Sequence, residues 1–192
     1  MEVGTTGYAA AGARAPPSLQ HCCSAHPSSP CARFPCLLAA CPSNNRVLFF
    51  PAGTTSATVV YGQSSMSGFS SSAYGTNGLH NPDAIAFDAV GNLYVADEIN
   101  SRVLVFPTGG VVGGLAQPAL TFATNVYGQA DFNSNAGDQG SAVSADGFRY
   151  PTGVAVDGGG SVYVADRANN RVMFFPSGQT PGQQVATRVY GH

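Results

Sequence analysis

An internal repeat constrains this chain more than any other feature. The stretch NPDAIAFDAVGNLYVADEINSRVLVFP at 81–107 aligns without a gap on YPTGVAVDGGGSVYVADRANNRVMFFP at 150–176. Pro82, Asp88, Tyr94, Val95, Ala96, Asp97, Asn100, Arg102, Val103, Phe106 and Pro107 recur 69 residues later as Pro151, Asp157, Tyr163, Val164, Ala165, Asp166, Asn169, Arg171, Val172, Phe175 and Pro176. A truncated third copy starts at NNRVLFFP (44–51). A second marker trails each copy: VVYGQ (59–63), NVYGQ (125–129) and RVYGH (188–192). Units recurring at a fixed spacing, with turn residues between short apolar runs, stack into a repeat architecture.

Each full copy predicts four strands. Residues 84–87 (later 153–156) are almost wholly apolar, as in a strand with both faces buried. Residues 88–92 carry the Asp/Gly/Asn chemistry of a hairpin turn, as do 157–161. A second strand follows at 93–96, a turn at 97–101 and a third strand at 102–106, closed by a proline where its missing N–H does least harm. The fourth strand lies at 121–127, later 186–190. A four-stranded antiparallel sheet repeated along the chain is a propeller blade. The expected buried set is Ile85, Phe87, Leu93, Val95, Val103, Val105, Val154, Val156, Val162, Val164, Val172 and Phe174.

Composition divides the 192 residues near position 43. All five cysteines (Cys22, Cys23, Cys31, Cys36 and Cys41) precede it, with His21, His26 and six of the thirteen prolines. Residues 1–43 show no strand alternation and no helical period, so a disordered Cys/Pro/Ala-rich tail is expected there. Residues 44–192 carry six arginines against nine acids, a net charge of −3 that works against a blanket nucleic-acid or anionic-membrane role. There is no convincing signal peptide, and no apolar run approaches the roughly 18 residues of a transmembrane helix.

The pattern P-x-x-[IV]-A-[FV]-D, then [LV]-Y-V-A-D, then N-[SN]-R-V resembles the NHL repeat. The resemblance covers about residues 44–192 and implies an all-β β-propeller, of a type commonly six-bladed. About two and a half blades are expected here: a partial blade at 44–63 and full blades at about 80–129 and 149–192. A chain of this size therefore reads as an incomplete propeller, a fragment or a subunit that must find partners. Open blade edges leave self-association available to it. The 69-residue spacing exceeds the usual 40-odd of the family, so the connections at 108–120 and 129–149 are long.

Several constellations bear on chemistry. His21, Cys22, Cys23 and His26 offer zinc-type ligands at a spacing that matches no common structural site. Asp131, Asn133, Asn135 and Asp138 begin like a calcium loop, but Ala136 and Ala142 stand where its glycine and closing glutamate belong. No cofactor is expected. The resemblance implies that Gly128, Gln129 and Phe132 open this connection, with Phe132 pinning it to the blade. Gln129, Asp131, Phe132, Asn133, Asn135 and Asp138 thus form the candidate interaction loop. Asp88, Asp97, Arg102, Asp157, Asp166 and Arg171 recur with the blades, which assigns them to structure, because catalysis needs only one site.

The family includes a zinc-dependent lyase whose metal is held by histidines. The repeat region has only His80 and His192 to offer, so no catalytic residue is assigned. The resemblance favours a non-catalytic protein- or peptide-binding scaffold module. One alternative is a fragment of a propeller enzyme, of metal-dependent lyase or hydrolase type, whose site lies on other blades. A further one is an RNA-binding or ubiquitin-ligase-associated protein of the family, although six dispersed arginines make nucleic acid the less favoured partner.

Overall fold

A computed structural model describes residues 37–191 except 52–53, 72–74, 108–110, 113–114, 117–120 and 141. The described residues form three antiparallel sheets and a short hairpin, with no α-helix. The first sheet orders β1 (Leu37–Cys41), β2 (Arg46–Phe50) and β3 (Val59–Tyr61). The second orders β4 (Pro82–Phe87), β5 (Leu93–Asp97) and β6 (Arg102–Phe106), the hairpin of β7 (Val111–Val112) and β8 (Leu115–Ala116) intervenes, and β9 (Asn125–Tyr127) completes the blade. The third orders β10 (Pro151–Val156), β11 (Val162–Asp166), β12 (Arg171–Phe175) and β13 (Arg188–Gly191). These are three blades of an incomplete propeller, stacked face to face, with β10 running along β4 and β5, and β1 beside β4. Among the described residues no helix is long and apolar enough to cross a membrane.

The first blade reaches further toward the N-terminus than the break in composition at residue 43. Leu37–Cys41 pairs with Arg46–Phe50 in full register, Leu38 opposite Phe49 and Cys41 opposite Arg46. Ladder pairing with β2 and a continuous apolar run decide strand formation here, and LLAAC meets both conditions despite its cysteine-rich neighbourhood. Residues 1–36, with His21, His26 and the other four cysteines, lie outside the described residues.

Two apolar clusters hold the stack. Leu38, Ala40, Val47, Phe49 and Tyr61 of the first blade meet Ile85, Leu93, Val95, Leu104 and Phe106 of the second. The opposite face of the second blade, with Tyr94, Ala96, Val103, Val105 and Tyr127, meets Val162, Val164, Met173 and Phe175 of the third. Every residue of β5 and β6 is therefore buried. At roughly 1.5–3 kcal/mol for each fully buried large side chain, the middle blade carries most of the packing energy.

Of the expected core, Val172 is a correction: it is 37% exposed. Phe87, Val154, Val156 and Phe174 are only half-buried. Val172 and Phe174 point to the open side of the third blade, while Met173 and Phe175, on the other side of the same strand, are fully buried.

Candidate functional site

The residues that recur between copies build a hub inside each full blade. In the second blade Asp97 ends β5, and the turn to β6 places Ser101 in the left-handed region (φ 52°) so that Arg102 returns beside it. Arg102 Nε donates to Asp97 Oδ2 at 2.8 Å, with both side chains fully buried. The same carboxylate accepts the His80 N–H at 2.6 Å and the Asn100 amide at 2.8 Å. The two outer guanidinium nitrogens donate to the carbonyls of Phe132 (2.6 Å) and Gly78 (2.9 Å), tying the chain before and after the blade to its centre. Complete burial pushes the Asp97 carboxyl up, against the pull of Arg102 and the N–H donors. In the third blade Arg171 Nε reaches Asp166 Oδ2 at 2.7 Å, the Arg149 N–H donates at 2.7 Å and the Asn169 amide at 2.9 Å.

Asp88 and Asp157 serve their hairpins. Asp88 Oδ1 accepts the N–H groups of Val90, Gly91 and Asn92, with the Asn92 amide on Oδ2 at 2.7 Å. Asp157 does the same for Gly159 and Ser161, and the Ser161 N–H is the main reason its carboxyl sits below the usual range. Burial raises the Tyr94 hydroxyl, which faces Asp88.

In the first blade Cys41 occupies the position of Asp97 and Asp166, paired in register with Arg46. The Arg46 guanidinium donates through Nη1 to the carbonyls of Met66 and Gly68, and its buried Nε has no hydrogen-bond partner. The Cys41 thiol turns instead toward the Ala39 carbonyl at 3.7 Å.

The interaction loop is partly buried and partly exposed. Gln129 is 3% exposed, and its amide nitrogen donates to the Ser101 and Ala136 carbonyls at 3.0 and 2.9 Å. Gln63 of the first blade makes the matching bond to the Asn45 carbonyl at 3.0 Å. The Gln of the YGQ marker thus clips the end of a blade to its own turn, a role the pairing of Gln63 with Gln129 already signals in the sequence. The glycine before it, Gly128, has φ 83°, and a Cβ there would stand 2.1 Å from the Phe148 ring. Phe132 packs against the first apolar cluster. Asp138 is buried and accepts the Asn169 amide at 2.7 Å. Asp131 and Asn133 are exposed and Asn135 half-exposed. Asp131 Oδ1 takes the Ser134 hydroxyl at 2.9 Å and the N–H groups of Asn133 and Ser134, which together hold its carboxyl below the usual range. Asp131 and Asp138 therefore point into different networks. Among the described residues no three His, Cys, Asp or Glu side chains gather as a metal site.

Between the second and third blades the long connections leave an open cleft of about 190 Å³. Gln139 and Asp146 line one side and Gln183, Gln184 and Val185 the other, over a floor of Gly128 and Gln129. Gln139 donates to the Asp146 carbonyl at 2.9 Å, and the Ser144 hydroxyl donates to the Asp146 carboxylate at 2.5 Å. The buried Oε1 of Gln129 has no hydrogen-bond partner. Gln184 ties the rim to Asn125 of the second blade at 2.6 Å. Nearby, Arg167 of the third blade meets Glu98 of the second, which also receives the Asn81 amide. Partial burial first, and the Glu98 charge second, push the Asp83 carboxyl up. Sequence reasoning missed Gln139, Asp146, Gln183 and Gln184, because they stand in connections that do not recur.

Strands β10 and β11 and the start of β12, with the hub they carry, are the part of the chain that a known family matches. Residues 148–173 match the family model of the NHL repeat. The chain carries the NHL repeat. No curated protein matches the chain. The matched stretch runs from the buried Phe148 through Asp166 and Arg171 to Met173, so the NHL signature here is the hub and the apolar face that the second blade covers. Many of the same residues recur in the second blade, which has both faces occupied. An NHL blade stack is a binding or scaffold architecture.

Proposed function

We propose that the chain is a non-catalytic module that binds a protein or peptide partner across the turns joining its second and third blades, at the cleft floored by Gln129. One observation carries this reading. The polar residues that recur between blades are engaged within their own blades, whereas Gln139, Asp146 and Gln183 belong to connections without a repeat and line an open cleft. Paired amides and one carboxylate supply both donors and acceptors, which suits the alternating N–H and C=O groups of a peptide backbone. The neighbouring Asp131 and Asn133 extend the accessible polar surface of the same connection.

The test is selection of a random-peptide display library on the full chain, followed by calorimetric titration of an enriched peptide. Asp146→Arg or Gln183→Arg should weaken it at least about tenfold, or ~1.4 kcal/mol, with the far-UV spectrum unchanged. A library that yields no binder, or a peptide that binds both variants as tightly as the parent chain, refutes the cleft as the binding site.

A further inference from the structure

The side chains that line the cleft between the second and third blades have committed donors and spare acceptors. Gln129, at the floor, is 3% exposed, and its amide nitrogen is taken by the Ser101 and Ala136 carbonyls. That leaves its buried Oε1 without a hydrogen-bond partner among the described residues. Gln139 spends its amide nitrogen on the Asp146 carbonyl, and Gln184 spends its own on Asn125. The Asp146 carboxylate takes the Ser144 hydroxyl on one oxygen and is only half-buried. Among the described residues no arginine or histidine lines the cleft, and the chain has no lysine. The floor therefore offers a carboxylate and amide oxygens, with Gln183 on the rim left for a partner's backbone.

The hubs show what such an acceptor set holds. The Arg102 guanidinium is met by the Asp97 carboxylate and the carbonyls of Phe132 and Gly78, and Arg171 by the Asp166 carboxylate and the Gly147 carbonyl. A carboxylate flanked by neutral carbonyl oxygens suits a guanidinium, whose fork of N–H donors is always charged and needs several acceptors. The cleft repeats that set with no arginine of its own. A lysine ammonium is a compact, more strongly hydrated charge, and it fits spread-out acceptors less well. Val185, 47% exposed at the rim, gives the methylene stem an apolar surface to lie on. At about 190 Å³ the cleft is smaller than the roughly 300–1,000 Å³ of a small-molecule pocket, which favours one side chain of a larger partner over a free ligand.

We infer that the cleft takes an arginine side chain of the partner, its guanidinium paired with Asp146 and donating to the amide oxygens of Gln139 and Gln129. This rests on the reading of the cleft as the binding site and names the chemistry it selects. The charge complements a cleft lined by a carboxylate and no cation.

The test is an NMR titration of the full chain with a short, end-blocked peptide of arginine flanked by glycines, beside its citrulline and lysine counterparts. The arginine peptide should give saturable shifts at the side-chain amides of Gln129 and Gln139 and at the Gln183 N–H. Citrulline keeps the shape and loses the charge, so its peptide should bind at least about tenfold more weakly, the loss expected for a hydrogen bond to a charged group. Asp146→Asn should weaken the arginine peptide to the same degree with the far-UV spectrum unchanged, and the lysine peptide should bind less tightly than the arginine one. The inference is overturned by a citrulline peptide that binds as tightly as the arginine one, by an Asp146→Asn chain that keeps full affinity, or by the absence of saturable shifts at the cleft. Library-selected peptides that map to the cleft but carry no arginine also overturn it, and they leave the cleft standing as the binding site.

Discussion

Replacing Cys41 by aspartate should stabilise the first blade. In the other two blades the residue at this register position accepts the arginine Nε at 2.8 and 2.7 Å, and in the first blade that nitrogen is buried with no hydrogen-bond partner. An unsatisfied buried donor costs about 1–3 kcal/mol, and a hydrogen bond to a charged acceptor contributes about 1.5–3 kcal/mol. Against this stands the desolvation of a new carboxylate, several kcal/mol for a fully buried ion, but smaller here because Cys41 is only half-buried. The balance is about 1–2 kcal/mol in favour of Cys41→Asp. With roughly 2–4 °C of Tm for each kcal/mol in a chain of this size, the midpoint should rise by about 2–8 °C. Scanning calorimetry measures it, with Cys41→Ser as the isosteric neutral control. The double variant Cys41→Asp/Arg46→Met closes the cycle, and the gain should vanish once the guanidinium is gone. A midpoint that falls, or that rises equally with and without Arg46, refutes the argument that the missing carboxylate leaves the first blade weaker.

Asp97→Asn strands the fully buried Arg102 charge and should cost about 3–5 kcal/mol, read as a lowered urea midpoint. An unchanged midpoint would remove the hub from the structural account. The Asp131 turn should be pH-dependent in one direction. Its carboxyl lies below the ordinary range because Ser134 and two N–H groups favour the charged form, so its contribution is present above the normal carboxylate pKa and is lost as pH falls through the depressed one. Amide exchange at Asn133 and Ser134 should accelerate only on that acid side, and loss beginning at neutral pH would contradict the assignment.

The sequence and the structure agree where local chemistry decides and part where neighbours decide. The third strand of each full copy lies at the expected residues, because Arg at its start and Pro after its end fix both bounds. Leu37–Cys41 escaped the repeat because the one residue that marks its end as a blade strand, the aspartate, is a cysteine. Val103 and Val172 are the same residue at the same repeat position, yet one is fully buried and the other is 37% exposed. Repeat equivalence states what a position is built to touch and is silent on whether the neighbour is there. The hub was legible because Asp, Asn and Arg recur together. The cleft was not, because its residues occur once and meet only when two connections from different blades converge.

The burial of the middle blade on both faces has a consequence for how the chain opens. In a linear stack each unit is held by its own contacts plus those to its immediate neighbours, so among the described residues the second blade owns two junctions and the first and third one each. Backbone amides of β5 and β6 should therefore exchange only by near-global unfolding, while those of β2 and β12 are released by lesser excursions in which a terminal blade peels away. The molecule frays from its ends inward, and anything that caps an end slows exchange most at the blade it touches.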